Sequence, residues 1–139
     1  MDDRYRLDGK VAVVTGCASG VGESVAKLFT ERGSKVLAVD VNADGLESAM
    51  EGVENVATMP QDVTETNAAE KIIDAALENF GQVDILINNA GRVIYSEVHE
   101  LTDEIWNMHF DLNVGAAMRL CRRAIPELKK RPVGRIVNI

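Results

Sequence analysis

The sequence is poor in cysteine and has no long apolar run. Its 139 residues include two cysteines, Cys17 and Cys121, which are too few for a disulfide framework and favour a reducing, cytoplasmic location. No apolar run approaches the roughly 18 residues that a membrane-spanning helix needs. The first ten residues are charged and contain no apolar run, so we expect neither a signal peptide nor a transit peptide there.

Excess positive charge and metal-ligand motifs are also lacking. The net charge of -7 would repel a nucleic-acid backbone or an anionic membrane surface, so we expect neither as a partner. The basic cluster at residues 129–132 fits a water-exposed helix end. The two histidines, His99 and His109, form no metal-binding motif with each other or with a cysteine, and we expect no metal site.

The sequence does contain an alternation of apolar runs and amphipathic segments. The runs are rich in Val and Ile with little polar alternation, which is typical of strands buried on both faces of a parallel sheet. They predict strands at residues 11–15, 36–40, 56–59, 83–87 and 136–139. The intervening segments predict helices, and the order βαβαβαβαβ predicts one α/β domain over residues 1–139, a doubly wound parallel sheet of Rossmann-like type.

Two of the predicted helices have strong apolar periodicity and recognisable ends. The first covers residues 21–29 and is followed by Gly33 as its C-terminal cap. The other covers residues 69–80, with Thr64 or Thr66 as the starting cap and Gly81 at the end. A weaker helix is predicted over 43–51, and a long one over about 102–130 with Pro126 as the candidate for a bend.

A glycine-rich loop joins the first strand to the first helix. The stretch TGCASGVGE begins at Thr15 and places Gly16, Gly20 and Gly22 between a buried strand and an amphipathic helix. Glycine allows tight turns and close backbone approach, and a helix N-terminus presents free N–H groups to an anion. In this strand–loop–helix context the motif predicts a pyrophosphate site.

An acidic residue at the end of the second strand predicts the kind of dinucleotide. Asp40 lies twenty positions after Gly20, where a carboxylate can accept hydrogen bonds from both adenosine ribose hydroxyls and would repel a 2′-phosphate. Val41 follows it rather than a basic residue, so NAD(H) is favoured over NADP(H). A strand-end cap or an ion pair is the alternative for Asp40. Cys17 in the loop is either a reactive thiol near a helix N-terminus or, as we favour, a spacer.

Four motifs in sequence order resemble those of the classical short-chain dehydrogenase/reductases. They are Thr-Gly-x-x-x-Gly-x-Gly at residues 15–22, QDVT at 61–64, NNAG at 88–91, and Asn113 in FDLNVGA. The resemblance covers nearly the whole chain. It implies an NAD(H)-dependent oxidoreductase that transfers a hydride between nicotinamide and a small alcohol or carbonyl substrate, assembled as homodimers or tetramers through the long helix.

The resemblance also implies the residues of the site. Asp62 would contact the adenine amino group, and Val63 would contact the adenine ring through backbone atoms. Asn113, the catalytic member, would hold a water that links the active-site lysine to solvent. The complete set expected to bind NAD is Thr15, Gly16, Cys17, Ser19, Gly20, Val21, Gly22, Asp40, Val41, Asp62, Val63, Asn88, Asn89, Ala90 and Gly91.

The acid/base pair of that family is missing from these residues. Its Tyr-x-x-x-Lys motif does not occur, because Tyr5 is followed four positions later by Gly9 and Tyr95 by His99. The substrate-polarising serine would stand just past Ile139. We therefore expect the cofactor-binding portion of an enzyme, truncated after the fifth strand, that binds cofactor without turnover. The alternatives are a catalytically silent NAD(H)-binding module and a half-enzyme completed by a second chain.

The long predicted helix has apolar residues on two sides. Ile105, Met108, Leu112 and Ala116 form one stripe, and Trp106, Phe110, Ala117 and Cys121 form another. One sheet covers one stripe only. The second is covered by another helix or subunit, or the helix is buried deep within one domain, and the sequence leaves these alternatives equally open.

Overall fold

The computed structural model describes residues 5–139. It contains one sheet of parallel strands in the order β3-β2-β1-β4-β5. The strands are β1 Val11–Thr15, β2 Lys35–Asp40, β3 Val56–Pro60, β4 Ile85–Asn88 and β5 Arg135–Asn138. All five predicted strands and the doubly wound α/β architecture are confirmed.

Helices cover both faces of the sheet. Successive side chains of a strand point to opposite faces, and because the central strands are apolar on both faces, both have to be buried. The helices are α1 Gly20–Glu31, α2 Ala43–Met50, α3 Ala68–Phe80, α4 Asp103–Phe110 and α5 Ala116–Leu128. Val13, Leu37 and Leu86 pack with α3 and α5 on one face, whereas Val14 and Ala38 pack with α1 and α2 on the other. None of the helices within residues 5–139 has the length and hydropathy needed to cross a membrane.

The ends of α1 and α3 test the predicted caps. Gly33 has φ of +93° after α1, and the N–H groups of Gly33 and Ser34 donate to the carbonyls of Thr30 and Phe29, which is the Schellman arrangement. Gly81 ends α3 in the left-handed conformation, also as predicted.

The predicted N-terminal cap of α3 is wrong, although the helix begins within one residue of its predicted start. Asn67 occupies the N-cap position, and neither Thr64 nor Thr66 caps the helix. The Thr64 hydroxyl instead donates to Asp62 Oδ1 at 2.7 Å, within the tight turn that follows β3. Thr64 therefore takes part in a local turn with Asp62 and does not cap the helix.

The long predicted helix is divided by a π-helical turn. Thr102 caps α4 by accepting from the Ile105 N–H, and the helical backbone then continues through the π turn Asp111–Gly115 into α5. Pro126 lies within α5 and does not end it. The π turn lies 11–15 residues before the proline and is an irregularity that the sequence did not predict.

Candidate cofactor site

An open cleft of about 370 Å³ lies at the carboxyl ends of the central strands. This is where ligands bind in doubly wound sheets, because the strand order reverses between β1 and β4 and the adjoining loops diverge. The cleft is lined by the loop after β1, the end of β2, the segments after β3 and β4, and α4 with the π turn. The lining residues are Gly16, Asp40, Val41, Gln61, Asp62, Val63, Thr64, Ala90, Gly91, Arg92, Met108 and Leu112.

The three glycines of the loop have different structural roles. A methyl group on Gly16 would lie 2.7 Å from Asn89 Nδ2, and one on Gly22 would lie 2.1 Å from the Gly16 carbonyl oxygen, so both positions are packed. Gly20 has φ of +61° and no atom within 4 Å of its ideal Cβ position. The loop therefore packs tightly against the protein at Gly16 and Gly22 and faces open space at Gly20.

The open glycine lies at the start of α1. Ser19 is the N-cap residue, but its exposed side chain makes no capping hydrogen bond. The first N–H groups of a helix have no partner within the helix and carry the positive end of its dipole. The side chain of Val21 is largely exposed here and leaves this end accessible. These features fit an anionic group such as a pyrophosphate.

Asp40 is held rigidly at the edge of the cleft. Its Oδ2 accepts from the Ala18 N–H and its Oδ1 from the Asn42 N–H, both at 2.9 Å. The alternative strand-end role is therefore present in the structure. It does not exclude a ligand, because each carboxylate oxygen can accept a second hydrogen bond. Asp40 is partly exposed, and Val41 beside it is largely exposed.

Asp62 and Val63 form the wall that follows β3. The Asp62 Oδ1 atom accepts from both the N–H and the hydroxyl of Thr64, at 2.8 and 2.7 Å, which fixes the orientation of the carboxylate. Val63 is largely buried and still contributes an apolar surface to the cleft. A polar edge beside an apolar surface suits a heterocyclic base.

Several residues expected to bind the cofactor do not line the cleft but hydrogen-bond the strands and loops beneath it. Thr15 is buried, and its hydroxyl oxygen accepts from the N–H groups of Asn89 and Ala90 at 3.1 and 3.0 Å. The Asn89 amide donates to the Thr15 and Gly16 carbonyls. Asn88 is also buried, and its Nδ2 donates to Asn138 Oδ1 at 2.8 Å. These side chains join β1, β4 and β5 and do not line the cleft.

Cys17 differs from its expected ligand contact. Its side chain is fully buried, its thiol lies 3.1 Å from the Val14 carbonyl oxygen, and its N–H donates to the Val39 carbonyl. Burial raises the pKa of the Cys17 thiol to about 12, with the Asp40 carboxylate acting in the same direction. The reactive-thiol alternative is therefore wrong, and Cys17 acts as a core spacer that exposes no surface to a ligand.

Asn113 lies in the π turn and faces the segment that follows β4. Its Oδ1 accepts from the Arg92 N–H at 2.8 Å, and its Nδ2 donates to the Arg92 carbonyl at 2.9 Å. The side-chain amide thus pairs with both backbone polar groups of one residue. A π turn inserts one residue into a helix and changes the directions of the side chains within it, and such turns are frequent at functional sites.

The cleft also contains residues that were not among those expected to bind the cofactor. Met108 and Leu112 line it, although their spacing indicated an apolar core stripe. Arg92 is the one basic side chain among the described residues that line the cleft. No signal in the sequence distinguishes these residues, since their positions depend on how the helix containing Asn113 packs against the segment after β4. Within residues 5–139, no group of three or more His, Cys, Asp or Glu side chains could hold a metal ion.

Comparison with known proteins agrees with this architecture. The sequence model of the family described as short chain dehydrogenase matches residues 10–139. An uncharacterized oxidoreductase from Staphylococcus aureus strain MRSA252 is 33% identical over 135 residues, which are 96% of this chain and 58% of that protein. A D-threitol dehydrogenase from Mycolicibacterium smegmatis is 34% identical over 143 residues, covering 100% of this chain and 55% of the relative.

Comparison with solved structures indicates the same family and fold. A crystal structure of a protein assigned to the short-chain dehydrogenases/reductases from Burkholderia xenovorans superposes with a TM-score of 0.90 at 32% identity. The match covers 96% of this chain and 54% of that one. The chain therefore spans little more than half the length of the relatives that it matches.

Proposed function

Because the chain belongs to the short-chain dehydrogenase family, we propose that it binds NAD(H) as part of an oxidoreductase acting on small alcohols or carbonyl compounds. The observation that carries this proposal is the cleft lined by Asp40 and Asp62, which lies at the same carboxyl edge of the sheet as the open Gly20 end of α1. When bound, the nicotinamide would supply or accept the hydride. The dehydrogenase name of the Mycolicibacterium relative supports an alcohol as the substrate class.

The residues of the cleft fit the parts of a dinucleotide. The N–H groups at the start of α1 would bind the pyrophosphate, and Gly20 leaves room for its approach. Asp40 would accept hydrogen bonds from the adenosine ribose hydroxyls. Asp62 would accept from the adenine amino group, and backbone atoms of Val63 would contact the ring. Asn113 would hold a water, and the hydrogen bonds of its side-chain amide to the backbone of Arg92 fix its position beside the cleft.

We expect NAD(H) to be preferred over NADP(H) because the Asp40 carboxylate is held at the edge of the cleft. Two backbone N–H groups hold its carboxylate, so a 2′-phosphate on the ribose would meet a fixed negative charge. The next residue is Val41, which supplies no compensating cation.

We also propose that these 139 residues by themselves bind the cofactor without turnover. Alkoxide charge that develops during hydride transfer needs a nearby acid/base group, and the family supplies it from Tyr-x-x-x-Lys. The sequence contains no such pair, and Tyr95 is 93% exposed with His99 four positions later. A silent NAD(H)-binding module and a half-enzyme completed by a second chain predict the same behaviour of the isolated chain.

A second copy of the chain is the partner that we propose for the long helix. Trp106 and Phe110 are 52% and 49% exposed, with ring centroids 4.7 Å apart, and Val114 and Met118 continue this exposed row at four-residue spacing. We define these residues as the apolar row. An apolar row of this length on a helix surface favours a protein interface over solvent. The net charge of -7 disfavours nucleic acid or an anionic membrane as the partner.

We further propose the reducing cytosol as the compartment. Both cysteines are free thiols, one of them fully buried in the core. Such cysteine usage is usual where thiols are kept reduced.

Titration of the chain with NADH, followed by a dehydrogenase assay, tests this proposal. We expect saturable binding with micromolar affinity or better, as is usual for dinucleotide sites, and no NADH production or consumption with a panel of alcohols and carbonyl compounds. Absence of binding would refute the cofactor assignment. Turnover by the chain would refute the claim that binding occurs without catalysis.

A further inference from the structure

His109 lies in the last turn of α4, one helical turn before Asn113. Residues four apart on a helical backbone lie on about the same side. Both side chains contact the irregular segment that follows β4. Asn113 binds both backbone polar groups of Arg92, and His109 contacts the backbone of Ile94, two residues further along.

The two hydrogen bonds of His109 define its protonation state. Nδ1 lies 2.8 Å from the Ile105 carbonyl oxygen, which can only accept, so Nδ1 carries the hydrogen. Nε2 accepts from the Ile94 N–H at 2.9 Å, so Nε2 carries none. An imidazolium has no acceptor, and the other neutral tautomer would direct two N–H groups at each other. The arrangement therefore requires the neutral Nδ1–H tautomer.

The segment has few other attachments to the protein. Residues 91–97 form no strand or helix, and within the described residues 5–139 the hydrogen bonds that join residues 91–94 to the rest of the protein are those with Asn113 and His109. Gly91 and Arg92 line the cleft, as does Met108 directly before His109. The position of this wall therefore depends on the contacts made by Asn113 and His109.

We propose that His109 is a positioning residue for the cofactor cleft. As the Nδ1–H tautomer it fixes the Ile94 N–H, and together with Asn113 it sets the backbone of residues 91–94. Its effect on cofactor affinity rests on the proposed NAD(H) function. Its effect on the segment does not.

Hydrogen exchange of the cofactor-free chain tests the attachment directly. Replacing His109 by Leu should speed exchange at the Ile94 amide about fivefold or more, as expected when one hydrogen bond is lost. Replacing His109 by Gln should preserve slow exchange, since the Gln side chain retains an acceptor. His99→Leu is the matched control, because His99 is the other histidine and should leave Ile94 unchanged. Equal Ile94 exchange in wild type and His109→Leu would overturn the proposal.

NADH titration of the same variants tests the consequence for binding. His109→Leu should weaken affinity about three- to tenfold, and His109→Gln should restore it to within about twofold of wild type. Wild-type affinity in His109→Leu would overturn the positioning role. If wild type fails to bind NADH, the proposed function fails, while the exchange result still decides the attachment.

Nitrogen NMR of the wild-type imidazole keeps the proposal testable if His109→Leu does not fold. We expect a protonated Nδ1 and an unprotonated Nε2 in His109. A protonated Nε2 in the folded chain would overturn the proposal, because that atom could not accept from Ile94.

Discussion

Asp84 shows how a single buried charge can join the sheet at the end remote from the cleft. Its side chain is fully buried, and its carboxylate accepts from the Val11 N–H at 2.9 Å, from Gln82 at 2.7 Å and from Arg131 at 3.0 Å. Burial on its own would raise the pKa of Asp84, but these hydrogen bonds outweigh it and hold the pKa below its usual value.

Replacement of Asp84 should destabilise the fold. We expect Asp84→Ala to lower the free energy of unfolding by about 2–4 kcal/mol, because it leaves a backbone N–H and a guanidinium without their acceptor. Urea denaturation at neutral pH measures the change. Asp74→Ala is the matched control, since Asp74 pairs with Arg123 from a side chain that is 54% exposed, and should change stability by less than about 1 kcal/mol. Equal losses in the two variants would contradict the account.

The same residue predicts part of the pH dependence of stability. Because the pKa of Asp84 is lower in the folded than in the unfolded chain, its contribution is fully present above about pH 4 and is lost as the pH falls through the folded-state pKa. Denaturation curves should therefore show wild type losing its advantage over Asp84→Ala below about pH 4. A constant difference between the two down to pH 2 would count against this assignment.

Two glycines of the loop should respond differently to the same substitution. Gly22→Ala places a methyl group 2.1 Å from the Gly16 carbonyl oxygen, so we expect loss of about 2 kcal/mol or more of stability. Gly20→Ala meets no neighbour and should lose only the roughly 1–2 kcal/mol of left-handed backbone strain. Thermal denaturation with and without NADH distinguishes them. Gly20→Ala should fold but be less stabilised by NADH, and normal stabilisation would argue against phosphate approach at this glycine.

At the scale of helices and strands, the sequence predicted what local patterns determine. Buried Val and Ile runs indicated the strands, and Gly33 and Gly81 marked two helix ends. The π turn was not predicted because no pattern in the neighbouring sequence requires it. Its residue Asn113 is hydrogen-bonded to Arg92, which lies 21 positions away in the chain. The same reason explains why Met108 was interpreted as a core residue. Thr15 and Asn89 were expected at the site, but only tertiary contacts show that they support it from behind.

The apolar row on α4 and α5 predicts self-association. Phe110→Glu should shift the chain toward monomer in sedimentation velocity, because it places a charge in the proposed interface beside Trp106. Leu28→Glu is the matched control, since Leu28 is an exposed apolar residue on α1, in the opposite helix layer. A monomeric wild type, or dissociation caused equally by the control, would reject the apolar row as the interface.

In the molecule as a whole, the side chains that hold the strands together are different from those that line the cleft. The buried side chains of Thr15, Asn88 and Asn89 join neighbouring strands, while the exposed carboxyl edge presents Asp40 and Asp62 to the cleft. The family and the fold could be predicted from these residues, because the four motifs occur in the sequence order of that family and lie between strands and helices of the predicted types. The relatives that this chain matches have almost twice its length.

The ratio of NADH to NADPH affinity, measured for wild type and Asp40→Ala, tests the central claim most directly. Wild type should prefer NADH by about tenfold or more, as expected for one fixed charge facing a 2′-phosphate. Asp40→Ala should reduce this preference to near unity, and Asp44→Ala, which removes an equal charge outside the cleft, should preserve it. An unchanged ratio in Asp40→Ala would contradict the account.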